Sequence, residues 1–295
     1  TPNKERHLGI DATVVRRHDD AGAVLVAKLT MGALANGDVW FGGKTRNPWN
    51  PEEGSRGSSA GSASAVAAGL VGFAIGTETR GSILSPCTRC GATGLRPTFG
   101  LVSRHGAMAL SWSMDKIGPI CRAVEDCALV FDAIDGPDGL DETVIDMSFS
   151  WDVHRDPGDL RVGYLRSTFE AEPSESQKEW HEFNMATLDA VRSMGIELVP
   201  IELPEVPISA LGFILRVEAA AAFDEMTRTN LDDTLVRQDP SAWPNRLRTA
   251  RSVPAVEYLQ ANRVRRIAMR EMARILDGID VYLSPTRGDN LRITN

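Results

Sequence analysis

The chain carries only four cysteines in 295 residues, Cys87, Cys90, Cys121 and Cys127, which does not suggest the disulfide framework of a secreted scaffold. It has no excess of basic residues. Its 32 Lys and Arg stand against 40 Asp and Glu, a formal net charge of -8. That balance argues against nucleic acid or an anionic membrane as a main partner. No apolar run is long enough to span a bilayer. Residues 1–30 are polar and mixed in charge, without the hydrophobic region of a signal peptide. There is no internal repeat, low-complexity tract or charged tail. A reduced, cytoplasmic setting is the default expectation. What remains is ordinary for a soluble globular protein: 42% hydrophobic and 24% charged residues, in a length that suits one large α/β domain or two smaller ones.

The pattern of elements alternates. Residues 11–21 read as a helix with Asp11 as N-cap. Ala23 to Ala27 is a short apolar run that predicts a buried strand, and residues 42–57, with their Gly, Pro and Asn, predict a loop. Residues 59–69 predict a helix and Gly72 to Ile75 a buried strand. Further helices are expected over 122–134, 176–194, 208–228 and 255–277. In the second of these Trp180, Phe183, Leu188, Val191 and Met194 share one face. Strands are expected over 160–165, 196–201 and 281–283, the last ending at Ser284-Pro285-Thr286. Strands alternating with helices imply an α/β layered fold with a parallel or mixed sheet. Residues 135–175, rich in Asp, Pro and Ser, read as a surface crossing between two halves of one sheet.

Several familiar signals fail on inspection. Gly42-Gly43-Lys44-Thr45 resembles the end of a phosphate-binding loop, but the full motif needs a glycine where Asp38 stands. A loop with a solvated lysine is the plainer reading. Cys87-Thr88-Arg89-Cys90 has CxxC spacing without the second ligand pair that zinc requires, so buried small side chains explain it better. The five histidines, His7, His18, His105, His154 and His181, fall in no recognisable Ser-His-Asp pattern. His105 is nearest in sequence to the Gly/Ser-rich region and reads as a loop residue.

Two serines stand apart. Ser58 lies in Gly57-Ser58-Ser59-Ala60-Gly61-Ser62, and Ser82 in Thr77-Glu78-Thr79-Arg80-Gly81-Ser82-Ile83. Small neighbours let the backbone turn tightly and approach a ligand, a setting suited to nucleophilic serines. A serine nucleophile without a histidine base needs another base, and lysine is the known alternative.

These two segments resemble the amidase signature family. The similarity continues through Gly94-Leu95-Arg96-Pro97-Thr98, Val102-Ser103-Arg104, Ser113-Met114-Asp115-Lys116-Ile117-Gly118-Pro119 and Val124-Glu125-Asp126-Cys127-Ala128, about a third of the chain. The resemblance implies an amidase-signature α/β fold, a central twisted mixed sheet covered on both faces by helices. It implies one such domain over 1–295, incomplete at both ends, with a signature core at about 55–130 and a variable, substrate-side region at about 135–280.

The same resemblance implies a Ser–cis-Ser–Lys catalytic set. Ser82 is the expected nucleophile and Ser58 the proton relay, with the peptide bond before Ser58 cis. Backbone N–H groups of Thr79, Arg80, Gly81 and Ser82 form the expected oxyanion hole, with Gly57, Ser59 and Thr77 in support. The family's lysine belongs to a motif expected upstream of this chain, and Lys4, Lys28 and Lys44 are not assigned its role. Arg56, Arg80 and Leu84 depart from the family's usual glycine, glycine and arginine. Backbone donors survive the change at Arg80, but positive φ is harder to reach there.

Met31, Met108 and Trp112 are candidate substrate-binding residues, with Phe213 and Leu215 further apolar candidates for the pocket wall. Each has core packing as its commoner fate. No metal and no cofactor are expected. The implied activity is hydrolysis of a C–N bond in a small or aryl amide, anilide or carbamate (urethane). The expected partner is that small molecule, with no nucleic acid and no membrane, and a homodimer is allowed. Two alternatives stand: the A-type subunit of a glutamine-dependent aminoacyl-tRNA amidotransferase, and an inactive truncated scaffold.

Overall fold

The computed structural model describes residues 5–285. Lys4 and Thr286, both named above, lie outside the described residues. In chain order the elements are α1 (Thr13–Asp20), β1 (Val39–Trp40), β2 (Gly43–Lys44), β3 (Arg46–Asn47), β4 (Asn50–Gly54), α2 (Ala60–Ala67), β5 (Ala74–Glu78), α3 (Leu84–Cys90), β6 (Thr93–Gly94), β7 (Lys116–Cys121) and α4 (Val124–Asp132). There follow β8 (Val162–Leu165), α5 (Arg166–Phe169), α6 (Lys178–Ser193), β9 (Leu198–Ile201), α7 (Gly212–Ala222), α8 (Asp224–Arg228), α9 (Trp243–Ala250), α10 (Ala255–Leu276) and β10 (Val281–Leu283). The described residues divide into two compact units, one of 5–150 together with 215–253, the other of 151–214 together with 254–285.

The first unit is built on an antiparallel sheet of order β5-β7-β6. Ile75 of β5 faces Pro119 of β7, and Gly94 of β6 faces Ile120. The apolar face of the Ala-rich helix α2 packs on this sheet: Ala63 and Val66 join Ile83, Cys87, Cys90 and Ile120 in one buried cluster. A second cluster gathers Leu34, Leu110, Ala219, Phe223, Trp243 and Leu247. The second unit holds a parallel sheet of order β10-β8-β9, with Tyr164, Phe169 and Leu188 in its core. There Arg161 forms an ion pair with Asp280 at 2.9 Å beside the β8–β10 pairing.

Several expectations are corrected. Ala12, not Asp11, is the N-cap of α1, and it makes no side-chain cap bond. Residues 23–27 form no strand, and Val24, Leu25 and Val26 are 84%, 77% and 70% exposed. An apolar run becomes a strand only where another strand takes its backbone N–H and C=O groups, and among the described residues none does. Residues 42–57 hold, in place of plain loop, β2, paired antiparallel with β1 just before it, and the antiparallel β3–β4 pair. Lys44 therefore sits on an exposed strand and not at the start of a helix. The 208–228 helix is broken at Phe223 into α7 and α8. On α6 only Leu188 is buried, while Phe183 and Met194 face solvent.

All four cysteines are free and buried, as small core residues would be. Burial raises the Cys87 thiol and pushes Cys90 up to about 12. The hydrogen bond with Cys127 raises Cys121 and in turn lowers Cys127. A raised pKa suppresses the reactive thiolate at Cys87, Cys90 and Cys121, and burial shields the sulfur of Cys127. At pH 8 native protein is expected to release no thionitrobenzoate from Ellman's reagent, and guanidinium-unfolded protein to titrate all four cysteines. Fully buried Ile120, on the central strand of its sheet, gives a second test. Ile120→Ala is expected to lower unfolding stability by about 2–5 kcal/mol in urea titration.

Candidate active site

The turn that carries Ser58 is held from below. Arg56 takes a left-handed φ of 58°, and its N–H donates to Asp38 Oδ2 at 3.0 Å. That conformation accounts for glycine being usual at this position. Gly57 packs so closely on the 37–38 backbone that a Cβ would stand 2.0 Å from the Gly37 carbonyl oxygen. The Gly57–Ser58 peptide bond is cis. Ser58 is buried, and its carbonyl accepts from Gly32 N–H at 3.1 Å. Its Oγ has no hydrogen-bond partner among the described residues.

Ser59 ties this turn to the second serine. Its N–H donates to the Ser82 carbonyl at 3.1 Å. Its Oγ donates to the Thr77 carbonyl and accepts from the Thr77 N–H, both at 3.0 Å. One turn along α2, Ser62 Oγ donates to the Ile75 carbonyl at 2.8 Å. Two hydroxyls thus stitch the helix to β5, and Ser58 and Ser82 are brought into neighbouring loops.

The loop after β5 is braced by three charged side chains. Glu78, buried in the sheet, accepts from the N–H of Ile83 at 2.8 Å and of Leu84 at 3.0 Å. Its negative charge thereby meets the unsatisfied amides that open α3. Asp115 Oδ1 accepts from Thr79 Oγ1 at 2.6 Å. Lys116 Nζ donates to the Met114 carbonyl and reaches the Thr79 carbonyl at 3.5 Å. Burial, reinforced by Arg96 and opposed by Glu78, lowers the pKa of Lys116. Positive φ falls on Gly81, at 92°, while Arg80 avoids it. The arginine therefore replaces glycine without backbone strain. The amides of Arg80, Gly81 and Ser82 donate to no acceptor among the described residues. Ser82 itself is half-buried.

Sequence reasoning passed over Glu78, Asp115 and Lys116 as functional residues. Glu78 could have been found, because it stands five residues before the amide it holds. Asp115 and Lys116 meet Thr79 across 36 and 37 residues, with no spacing to announce it. Met31 does approach the site: its Sδ lies 3.9 Å from Thr77 Oγ1. Met108 and Trp112 are about half exposed, on the segment before β7. Leu215 packs against the second buried cluster of the first unit, whereas Phe213 belongs to the other unit. His105 is a loop residue whose carbonyl accepts from Thr13 N–H at 3.2 Å.

Sheet, stitched helix and paired serine loops define the class: an α/β protein with the amidase-signature fold. The chain matches the Amidase family model over residues 4–291 and belongs to that family. It is 34% identical over 302 residues to the A-type subunit of the glutamyl-tRNA(Gln) amidotransferase from Roseiflexus sp. (strain RS-1), covering 94% of this chain and 61% of that protein. A solved chain from a vestigial protein complex, described as revealing the evolutionary origins of an s-triazine catabolic enzyme, superposes with a TM-score of 0.82 at 29% identity. That match covers 95% of this chain and 60% of the other. The native peptide amidase of Stenotrophomonas maltophilia superposes with a TM-score of 0.73 at 31% identity, over 90% of this chain and 61% of the enzyme. The chain thus spans about three-fifths of the length of these relatives. No helix among the described residues is long and apolar enough to cross a membrane.

A buried hydroxyl without a partner is a cost to folding. Ser58→Ala is therefore expected to leave the urea midpoint unchanged or raise stability by up to about 1 kcal/mol. A clear loss of stability would show that Ser58 Oγ has a structural partner.

Proposed function

We propose that the protein containing this chain is a serine hydrolase that cleaves a C–N bond of a small or aryl amide, anilide or carbamate through an acyl-enzyme on Ser82. The observation that carries this reading is the buried Ser58 Oγ, without a partner among the described residues, in a turn bonded through Ser59 to Ser82. A hydroxyl placed so, at a cost to stability, suits a proton relay. The half-buried position of Ser82 and the uncommitted amides of Arg80, Gly81 and Ser82 support the rest.

The chemistry follows from those roles. Ser82 Oγ attacks the carbonyl carbon and passes its proton to Ser58 Oγ, which passes its own to the base. The resemblance implies a neutral lysine there, and a desolvated lysine has the lowered pKa that a base near neutral pH needs. Among the described residues Lys116 is a lysine of this kind, but its Nζ is directed at two backbone carbonyls. The oxyanion is stabilised by the loop's N–H groups. Ser58 returns a proton to the leaving nitrogen, the C–N bond breaks, and water hydrolyses the ester on Ser82 in a second round. A carbamate carbonyl suits the same machinery, so urethane cleavage belongs to this proposal.

A second reading has its own support. The similarity to the A-type subunit of an amidotransferase favours a role in which the same serines release ammonia from glutamine within a complex.

One panel separates these. The full-length protein is expected to be labelled on Ser82 by a fluorophosphonate and to hydrolyse a p-nitroanilide, and Ser82→Ala is expected to abolish both. Ser58→Ala is expected to cut turnover by about 100-fold or more, the scale of a lost acid–base group. Turnover of glutamine alone, and only with partner proteins, would favour the second reading. A protein that takes no label would be a scaffold and not an enzyme.

A further inference from the structure

The segment between Leu110 and Lys116 has no helix or strand of its own, yet carboxylates hold it at two points. Asp115 Oδ2 accepts from the N–H groups of Leu110 and Ser111, both at 2.8 Å. Its other oxygen takes the Thr79 hydroxyl at the entrance to the Ser82 loop. Behind the segment stands Glu218 of α7, buried. It accepts from Ser111 Oγ at 2.5 Å, from Ser113 N–H at 3.1 Å and from Ser113 Oγ at 2.7 Å. The helix that carries Glu218 is anchored by Ala219 and Ala220, which pack in the same buried cluster as Leu110.

These bonds form a continuous path: Glu218 to Ser111, Ser111 N–H to Asp115, Asp115 to Thr79. Bonds to a carboxylate are the strong kind. Oxyanion donors work by being fixed before charge develops, and a loop site needs such support to hold its geometry. The geometry points to Glu218 as a positioning residue for the Ser82 reaction, fixing the Thr79–Ser82 loop from α7 through the 110–116 segment. This rests on Ser82 being the nucleophile. Glu218 does not touch substrate. It acts through Asp115 and Thr79, and its loss loosens the Thr79–Ser82 loop with its oxyanion donors, while the turn that carries Ser58 keeps its Ser59 bonds to Thr77. A glutamate that merely satisfied its own surroundings would affect stability alone.

The test uses the full-length protein, with Glu218→Gln and the milder Ser113→Ala, which removes one hydroxyl donor. Two readouts are taken: the rate of fluorophosphonate labelling of Ser82, and hydrogen exchange over residues 79–84 by mass spectrometry. For Glu218→Gln labelling is expected to slow by about tenfold to 100-fold, as small misplacements of catalytic groups do. The kcat for a p-nitroanilide should fall with KM little changed, the mark of an interaction made in the transition state. Exchange over 79–84 should quicken. Ser113→Ala should move each in the same direction by less. Unchanged exchange over 79–84 in both variants, with only a lowered melting temperature, would overturn the inference. If Glu218→Gln does not fold, Ser113→Ala decides alone by the same criterion. Failure of the parent protein to label would remove the nucleophile reading itself. Exchange over 79–84 reports the brace without any turnover, so the two failures are distinct.

Discussion

The hydroxyl of Ser59 sits between the N–H and the C=O of Thr77, while its own N–H reaches the Ser82 carbonyl. Much of the first unit depends on that contact. It joins the start of α2 to β5, and it fixes the spacing between the turn that carries Ser58 and the loop that carries Ser82. The helix can come close enough for this because its facing residues are small. Gly61 allows the backbone at Thr30 to approach, where a Cβ would stand 2.4 Å from the Thr30 nitrogen. The hydroxyl is turned to Thr77, and Ser59 gives α2 no N-cap bond. Ser58, next along the chain, is left with its hydroxyl uncommitted.

Residues with a local signal were legible in the sequence. Helices α2, α4 and α10 follow from their periodicity and from the breakers that bound them. Strands β8, β9 and β10 follow from short apolar runs. The two serines were recognisable because the glycines and small residues around them are needed where the backbone turns and packs closely. What stayed hidden depends on distant partners. The 23–27 run has the composition of a buried strand, but composition does not supply a neighbour. Glu218 looks like any glutamate on a helix until Ser111, 107 residues away, is brought against it. The short strands β2 to β4 were hidden for another reason: Gly, Pro and Asn read as loop even where the backbone pairs.

The departures at Arg56 and Arg80 show how one fold absorbs the loss of a glycine in two ways. At Arg56 the left-handed conformation is kept, and Asp38 takes the N–H that it presents. At Arg80 the special conformation is not needed, because Gly81 carries it instead. Backbone donors are unchanged in either case, since each non-proline residue keeps its N–H.

The exposed run Val24-Leu25-Val26 bears on how this stretch of chain behaves when handled alone. Three consecutive aliphatic side chains stand in water, on backbone whose amides find no acceptor among the described residues. Unpaired extended backbone is a template for adding another chain, and copies of the same segment are the nearest supply in a concentrated solution. An exposed apolar run with unpaired backbone favours association between copies as concentration rises.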